Sequence, residues 1–233
     1  MSLKADLDSF RSDFMAKVPA EIREAMTSAD MELAASGIAQ RAVKAGDRAP
    51  DFRLPDARGG HVRLRDLLAK GPVVVSFYRG GWCPYCNLEL RALQHALPQV
   101  RRLGAQLTAI SPQTPDESFS TSEKNELAFA VLSDAGSATA KAYGIAFDLA
   151  EELRPLYTRF GHALPDKNGD DSWVLPIPAT YVVDTHGDVV LAFVDVDYRN
   201  RLEPGEIVAA LEFLRKERGL AGAGSRPDGS TKK

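Results

Sequence analysis

One stretch of the chain, Pro72-Val-Val-Val-Ser-Phe-Tyr-Arg-Gly-Gly-Trp-Cys-Pro-Tyr-Cys86, decides the fold. Its first half is an apolar, β-branched run that is typical of a strand buried on both faces. Two glycines then predict a turn, and the apolar spacing from Leu88 to Leu103 predicts a helix. This order places Cys83 and Cys86 at the amino end of a helix that follows a central strand.

The segments around this stretch alternate between strand and helix patterns. A hairpin is predicted around Gly59-Gly60, and the region 147–177 is less periodic and predicts an insertion. Other strands are predicted at 105–110, 128–132, 180–184 and 189–193, and helices at 116–127, 138–143 and 204–215. This alternation predicts one α/β domain with three layers over residues 46–218.

The two ends of the chain differ from this domain. Residues 1–45 repeat apolar side chains at spacings of three and four, which predicts a helical N-terminal extension with one or two further short helices after Pro19. This extension packs on the domain or contributes to a homodimer, and both alternatives stay open. Residues 219–233 are rich in Gly, Ser and Lys and predict a disordered tail.

Composition excludes several classes of protein. The chain has 233 residues, 44% hydrophobic residues and a net charge of −3, which is typical of a globular protein and argues against nucleic acid as the main partner. No apolar run is long enough to predict a membrane span, and the first residues lack the apolar segment of a secretory signal. These observations predict a cytoplasmic protein with no membrane partner.

The two cysteines carry the chemistry. A helix start stabilises a thiolate, and the Cys-x-x-Cys spacing of Cys83 and Cys86 allows a local disulfide. Pro84 suits the first turn of the helix. Structural zinc needs four ligands, whereas there is no second cysteine pair and the four histidines are scattered singly. We therefore expect redox chemistry with no metal and no cofactor.

Several motifs resemble one family. Cys83-Pro-Tyr-Cys86 resembles the active-site tetrapeptide of glutaredoxins, and Trp82-Cys83 is similar to the Trp-Cys of thioredoxins. The surrounding chain, over about 46–215, resembles the AhpC/TSA (peroxiredoxin) branch of the thioredoxin-fold proteins. The segments that carry this resemblance are 46–55, 62–67, 71–78, 109–112, 129–134 and 142–145. The resemblance implies a thioredoxin-like, peroxiredoxin-type α/β/α sandwich with an N-terminal helical extension.

The resemblance also implies a function. A thiol-dependent peroxidase of this kind reduces hydrogen peroxide or organic hydroperoxides, forms a Cys83–Cys86 disulfide, and is recycled by thioredoxin, glutaredoxin or glutathione. Peroxiredoxin spacing makes Cys86 the attacking residue, with Glu89 in support, whereas thioredoxin spacing makes it Cys83. We favour Cys86 for peroxide and Cys83 for disulfide exchange, and the sequence leaves the choice open.

The supporting residues depart from the peroxiredoxin pattern. The loop threonine falls on Cys83, and Pro178 stands where peroxiredoxins place an arginine before a strand threonine. Pro178 instead resembles the cis-proline turn of thioredoxins, which predicts a cis bond after Ile177. Arg79 is the predicted replacement for the arginine, and Trp82 and Tyr85 are predicted to shield the sulfurs or shape the substrate entrance.

Two other functions stay open. One is a thiol-disulfide oxidoreductase of the thioredoxin or glutaredoxin type, which acts on disulfide substrates. The other is a non-catalytic redox sensor or interaction module whose disulfide changes the shape of the N-terminal helices.

Overall fold

A computed structural model of the chain describes residues 2–223, and side chains up to residue 217. Its strands are β1 (Arg53–Pro55), β2 (His61–Arg63), β3 (Val73–Phe77), β4 (Gln106–Ser111), β5 (Ala130–Ser133), β6 (Ala146–Asp148), β7 (Val174–Pro176), β8 (Ala179–Val183) and β9 (Val189–Val194). Its helices are α1 (Leu3–Lys17), α2 (Ala20–Ala35), α3 (Ile38–Arg41), α4 (Leu64–Leu68), α5 (Pro84–Arg102), α6 (Pro115–Lys124), α7 (Ala138–Ala142), α8 (Arg154–Arg159), α9 (Leu164–Asn168) and α10 (Pro204–Ala223).

A five-stranded mixed sheet lies at the centre, in the order β5-β4-β3-β8-β9. Strands β3, β4 and β5 are parallel, while β8 pairs antiparallel with β3 and β9 antiparallel with β8. Two short antiparallel pairs, β1-β2 and β6-β7, flank the sheet. Every residue of β3 is buried, as its β-branched sequence predicts.

Alternate side chains of β3 face two separate cores. Val74 packs into a cluster with apolar residues of α1, α5 and α10, such as Leu7, Leu90 and Leu211. Val75 packs on the other face, in a cluster that includes Leu64 of α4. Helices therefore cover both faces of the sheet, and the predicted three-layer α/β/α architecture is confirmed.

Three parts of the chain differ from the sequence predictions. Region 147–177, predicted as a less periodic insertion, contains more regular structure than its sequence pattern indicates, namely α8, α9 and the paired strand β7. After Pro19 the first helix is not short, since α2 has 16 residues. Helix α10 reaches Ala223, so residues 219–223 of the predicted tail are helical. The rest of that tail, 224–233, lies outside the described residues.

The described helices include none that is both long and apolar enough to cross a bilayer.

Candidate active site

Both cysteines lie where β3 leads into α5. Cys83 is the residue that precedes the first turn of α5, and Pro84 occupies that turn, where its missing N–H costs nothing. The Cys83 N–H donates to the carbonyl of Gly80 at 3.1 Å, which folds the connecting loop back on itself. Cys83 is 2% exposed and Cys86 is fully buried, and neither forms a disulfide.

Two glycines allow this loop to pass close to its neighbours. Gly80 has φ +152°, and a Cβ there would lie 2.2 Å from Nε1 of Trp82. A Cβ on Gly81 would lie 2.1 Å from Oγ1 of Thr121 in α6. Larger residues at either position would displace the loop that carries Arg79 and Trp82.

Polar side chains outside the Cys-x-x-Cys motif form hydrogen bonds that hold the loop between β3 and α5 in place. The Gly81 N–H donates to Oε1 of Gln113 at 2.7 Å. The amide nitrogen of Asn87 donates to the carbonyls of Gly81 at 2.8 Å and Cys83 at 3.2 Å, and Asn87 in turn accepts from Asn125 at 2.9 Å. The sequence analysis missed these amides, because their only signal is polarity at otherwise buried positions.

A buried ion pair lies beside Cys86. Arg201, in the loop before α10, donates from Nε to Oε2 of Glu89 at 2.8 Å and from Nη2 to Sγ of Cys86 at 3.4 Å. The side chains of Arg201 and Glu89 are only 1% and 2% exposed. Thr180 of β8 donates to the other Glu89 oxygen at 3.5 Å. Burial raises the pKa of Glu89 to about 7, although the charge of Arg201 opposes this rise.

Sequence reasoning missed Arg201. It lies 115 residues from Cys86, in no spacing relation to the motif, and only the packing of the loop between β9 and α10 brings it to the sulfur. Its guanidinium supplies a cation beside a thiol, which is the role that the sequence assigned to Arg79 alone. Arg79 and Arg201 thus both contribute positive charge to the cysteine pair.

Arg79 is buried among aromatic rings, with 3% of its surface exposed. Its guanidinium carbon lies 4.1 Å from the ring centre of Tyr198 and 5.1 Å from that of Trp82, and its Nη2 donates to the hydroxyl of Tyr157. Its Nε is buried with no acceptor among the described residues. The guanidinium is therefore held by π faces and one phenol, without an acid.

These surroundings shift the pKa values of the two thiols in opposite directions, down at Cys83 and up at Cys86. Burial raises the pKa of Cys83, but a hydrogen bond from Cys86 and the charges of Arg79 and Arg201 outweigh it and lower that pKa to about 5. Burial raises the pKa of Cys86 well above its usual value, and its hydrogen bond to Cys83 and the charge there add to the rise. The surroundings therefore favour the thiolate form at Cys83 and the thiol form at Cys86.

An aromatic pocket of about 360 Å³ opens onto Cys83. Helices α1 and α2 of the N-terminal extension form part of its wall, and Trp82 and Tyr85 also line it. Its aromatic lining is Phe10, Phe14, Trp82, Tyr85, Tyr157, Phe160 and Tyr198. Tyr85 packs edge-on against Phe10 of α1, with ring centres 5.0 Å apart. Cys83 lines this pocket and Cys86 does not.

Pro178 lies apart from this pocket. It lines a second cavity of about 200 Å³ that Arg79 also borders. The described residues contain no cis peptide bond, so the cis bond predicted after Ile177 is wrong. Ile177 donates its N–H to the carbonyl of Ile145 at 2.8 Å and thereby extends the β6-β7 pairing. Ile177 and Pro178 connect β7 to β8 directly, and no turn is formed at these two residues.

The part of the chain that the structure describes holds no cluster of three His, Cys, Asp or Glu side chains suited to a metal ion. The fold and the two thiols define a class: a redox protein of thioredoxin-like fold whose neighbouring cysteines begin a helix.

Comparison with known proteins narrows this class to one family. The sequence profile of the AhpC/TSA family matches residues 45–192. The chain belongs to the AhpC/TSA family, and the resemblance found in the sequence is confirmed.

Individual relatives agree with this assignment. Chloroplastic peroxiredoxin Q of Sedum lineare is 30% identical over 162 residues, which cover 70% of this chain and 72% of the relative. Peroxiredoxin Bcp of Escherichia coli K12 is 32% identical over 103 residues, which cover 44% of this chain and 65% of the relative. The crystal structure of peroxidoxin BcpB from Mycobacterium tuberculosis has a TM-score of 0.58 at 24% identity and covers 74% of this chain and 98% of its own. This structural likeness shows the fold.

Proposed function

We propose that the protein is a thiol-dependent peroxidase in which Cys83 attacks the hydroperoxide and Cys86 resolves the product. The observation that carries this assignment is that Cys83 lines the aromatic pocket, whereas Cys86 is fully buried behind it. The names of the relatives, peroxiredoxin Q and peroxiredoxin Bcp, support the reaction class. The peroxiredoxin spacing favoured Cys86 for peroxide, and the geometry favours Cys83.

In the first step the Cys83 thiolate attacks the terminal oxygen of the hydroperoxide. The O–O bond breaks, the sulfur loses two electrons and becomes a sulfenic acid, and the alkoxide leaves and takes a proton from water. Arg79, whose charge acts on Cys83, stabilises both the thiolate and the departing oxygen. It thereby replaces the arginine that peroxiredoxins place where this chain has Pro178.

In the second step the Cys86 sulfur attacks the sulfenic acid. A Cys83–Cys86 bond forms, the hydroxyl leaves as water with the proton of Cys86, and no electron leaves the protein. Arg201 donates to Sγ of Cys86 and stabilises its thiolate form, while Glu89 holds the guanidinium in place. We assign Arg201 as a catalytic residue for Cys86 and Glu89 as a positioning residue.

Recycling needs an external thiol, and thioredoxin, glutaredoxin and glutathione remain our candidates for the reductant. The cytoplasm remains our proposal for the compartment, because its thiols are kept reduced. A homodimer through the N-terminal helices remains a proposal as well. Trp82 and Tyr85 act in this scheme as walls of the substrate entrance.

Stopped-flow tryptophan fluorescence tests the function directly. The reduced protein is mixed with hydrogen peroxide or cumene hydroperoxide, and Trp82, which adjoins Cys83, is expected to report the oxidation. The Trp173→Phe variant should keep the signal, whereas Trp82→Phe should lose it while oxidation, followed by mass, continues. Oxidation no faster than that of free cysteine would refute the peroxidase and leave the disulfide oxidoreductase.

A further inference from the structure

Arg79 and Arg201 differ in how their charge is balanced. Arg201 is paired with Glu89, but none of the ion pairs among the described side chains includes Arg79. The charge of Asp30 acts on Arg79, yet the Asp30 carboxylate is bound to Arg199. A buried guanidinium without an anion is strongly unfavourable. Cys83 lines the same pocket as Arg79, and its thiolate supplies that anion in the reduced protein.

Oxidation of the cysteine pair removes the negative charge that balances Arg79. When Cys83 and Cys86 form a disulfide, both sulfurs become neutral, and Glu89 remains to balance Arg201. Arg79 then keeps its full charge, and within residues 2–217 its side chain donates only to Tyr157 and its Nε has no acceptor. The oxidised form therefore holds an uncompensated positive charge at the wall of the aromatic pocket, and the reduced form does not.

The pocket is complementary to an anion with an apolar body. Among the residues that the structure describes, Arg79 is the one arginine or lysine in its lining, and no Asp or Glu side chain lines it. The remaining lining is aromatic or apolar apart from His162, which stacks on Trp82 with ring centres 5.1 Å apart. A volume of about 360 Å³ admits a small molecule, and a sulfur that is 2% exposed gives a folded protein partner little surface to contact.

We propose that the disulfide form binds a small thiol that carries a carboxylate, with the carboxylate against Arg79 and the thiolate against Cys83. The reductant class is thus a low-molecular-mass anionic thiol, and oxidation strengthens its binding site. This inference rests on the proposed function, because it assigns the electron donor for the same disulfide.

Reduction of the protein disulfide takes two thiol–disulfide exchange steps. The thiolate of the first reductant attacks Sγ of Cys83, a mixed disulfide forms, and Cys86 leaves as a thiolate that accepts a hydrogen bond from Arg201 and then takes a proton. A second reductant thiolate attacks the mixed disulfide, which releases the oxidised reductant and restores the Cys83 thiolate. Two electrons pass from two external thiols to the protein disulfide.

The kinetic test compares two thiols of similar size, 3-mercaptopropionate and 2-mercaptoethanol, on the full-length disulfide protein. Rate constants for reduction, read from Trp82 fluorescence, are expressed per concentration of thiolate, which removes the difference in ionised fraction. They are then divided by the rate constants of the same thiols with a small-molecule disulfide, because thiolate nucleophilicity also varies with thiol pKa. We expect 3-mercaptopropionate to react about tenfold faster with the wild type. Arg79→Gln should abolish this preference, Arg79→Lys should retain part of it, and the exposed control Arg159→Gln should keep it.

An equilibrium test uses benzoate, which has a ring and a carboxylate but no thiol. We expect benzoate to bind the disulfide form about tenfold more tightly than the reduced form, as measured by calorimetry. The reduced Cys83→Ser variant, which cannot supply a thiolate, should bind benzoate as the disulfide form does. Because this variant needs no oxidation, it separates the charge effect from the disulfide itself.

Several outcomes would overturn the inference. Equal rate constants for the two thiols would do so, as would a preference that Arg79→Gln leaves intact, or benzoate binding that is the same in both redox states. Failure of the proposed function looks different, since peroxide would then not oxidise the pair. In that case diamide can form the disulfide, and the thiol and benzoate comparisons still decide the anion site.

Discussion

The two sulfurs lie three residues apart on one helix, yet the regions around them differ in charge and access. The Cys83 side consists of an aromatic pocket and a guanidinium without an acid partner. The Cys86 side is closed and contains the Arg201–Glu89 ion pair, at 2.8 Å and almost fully buried. Both cysteines belong to one Cys-x-x-Cys motif, but the side chains packed around each sulfur give it a different environment.

The difference shows how a fold can give two identical side chains different chemical roles. A cation without an acid favours a thiolate nearby, whereas a cation that already has an acid offers a hydrogen bond with little net charge. On the proposed mechanism Cys83 therefore attacks the hydroperoxide, and Cys86 stays protonated until its partner is oxidised. The following predictions test this division.

Substitution of each cysteine should have the largest effect. Cys83→Ser should abolish the reaction with hydrogen peroxide, because the thiolate is the nucleophile. Cys86→Ser should still react but should stop at the sulfenic acid of Cys83, which dimedone labelling and mass spectrometry detect. If the labelled sulfenic acid accumulates in Cys83→Ser instead, Cys86 is the attacking residue and the division is reversed.

Breaking the ion pair on the Cys86 side should reduce stability. Arg201→Met leaves Glu89 buried without its partner, which should lower the free energy of unfolding by about 3–5 kcal/mol in urea titrations. The double variant Arg201→Met with Glu89→Leu should recover much of this loss. Arg215→Met, an exposed change of the same kind, serves as the control. A single variant as stable as the wild type would show that the pair is not structural.

The pH dependence on the Cys83 side should follow its thiolate. Because the pKa of Cys83 is lowered to about 5, the rate constant with peroxide should rise through that pH and level off above it. Arg79→Gln should move the midpoint to higher pH by about 1–3 pH units, since it removes a neighbouring cation. The exposed substitution Arg159→Gln should not move it, and a wild-type midpoint near the usual thiol range would contradict the assignment.

The smallest effect is expected at the pocket wall. Phe10→Leu removes the edge-on contact with Tyr85 and should cost about 0.5–1.5 kcal/mol of stability. Phe213→Leu, at a ring that is 60% exposed, should cost much less. If both changes have equal effects in thermal unfolding, α1 does not depend on this contact for its position.

The sequence was sufficient for most of the fold. The buried run at Val73–Phe77, the two glycines and the helix pattern after Cys86 gave the strand, turn and helix that carry the thiols. The strand could be predicted because burial on both of its faces requires apolar, mostly β-branched residues along a continuous stretch. The sequence pattern of 147–177 did not predict α8, α9 and β7, because these elements are too short to show periodicity.

The roles of the sulfurs could not be predicted in the same way. Spacing identified Cys83, Cys86 and Arg79, but two spacing rules assigned opposite roles to the cysteines. The residue that separates those roles, Arg201, comes from a loop 115 residues away, and its burial depends on tertiary packing alone. Electrostatic roles of this kind follow from distances between remote segments, which no local pattern encodes.

The segment shared with the family has a further consequence for protein engineering. The match spans residues 45–192, so it contains both cysteines but neither Phe10 nor Arg201. A chimaera that exchanges only residues 45–192 would transfer both sulfurs. It would leave out Arg201, the cation beside Cys86, and Phe10, which forms part of the pocket wall around Cys83. Grafting the reactivity of this protein onto a relative therefore requires a transplant from Phe10 through Arg201.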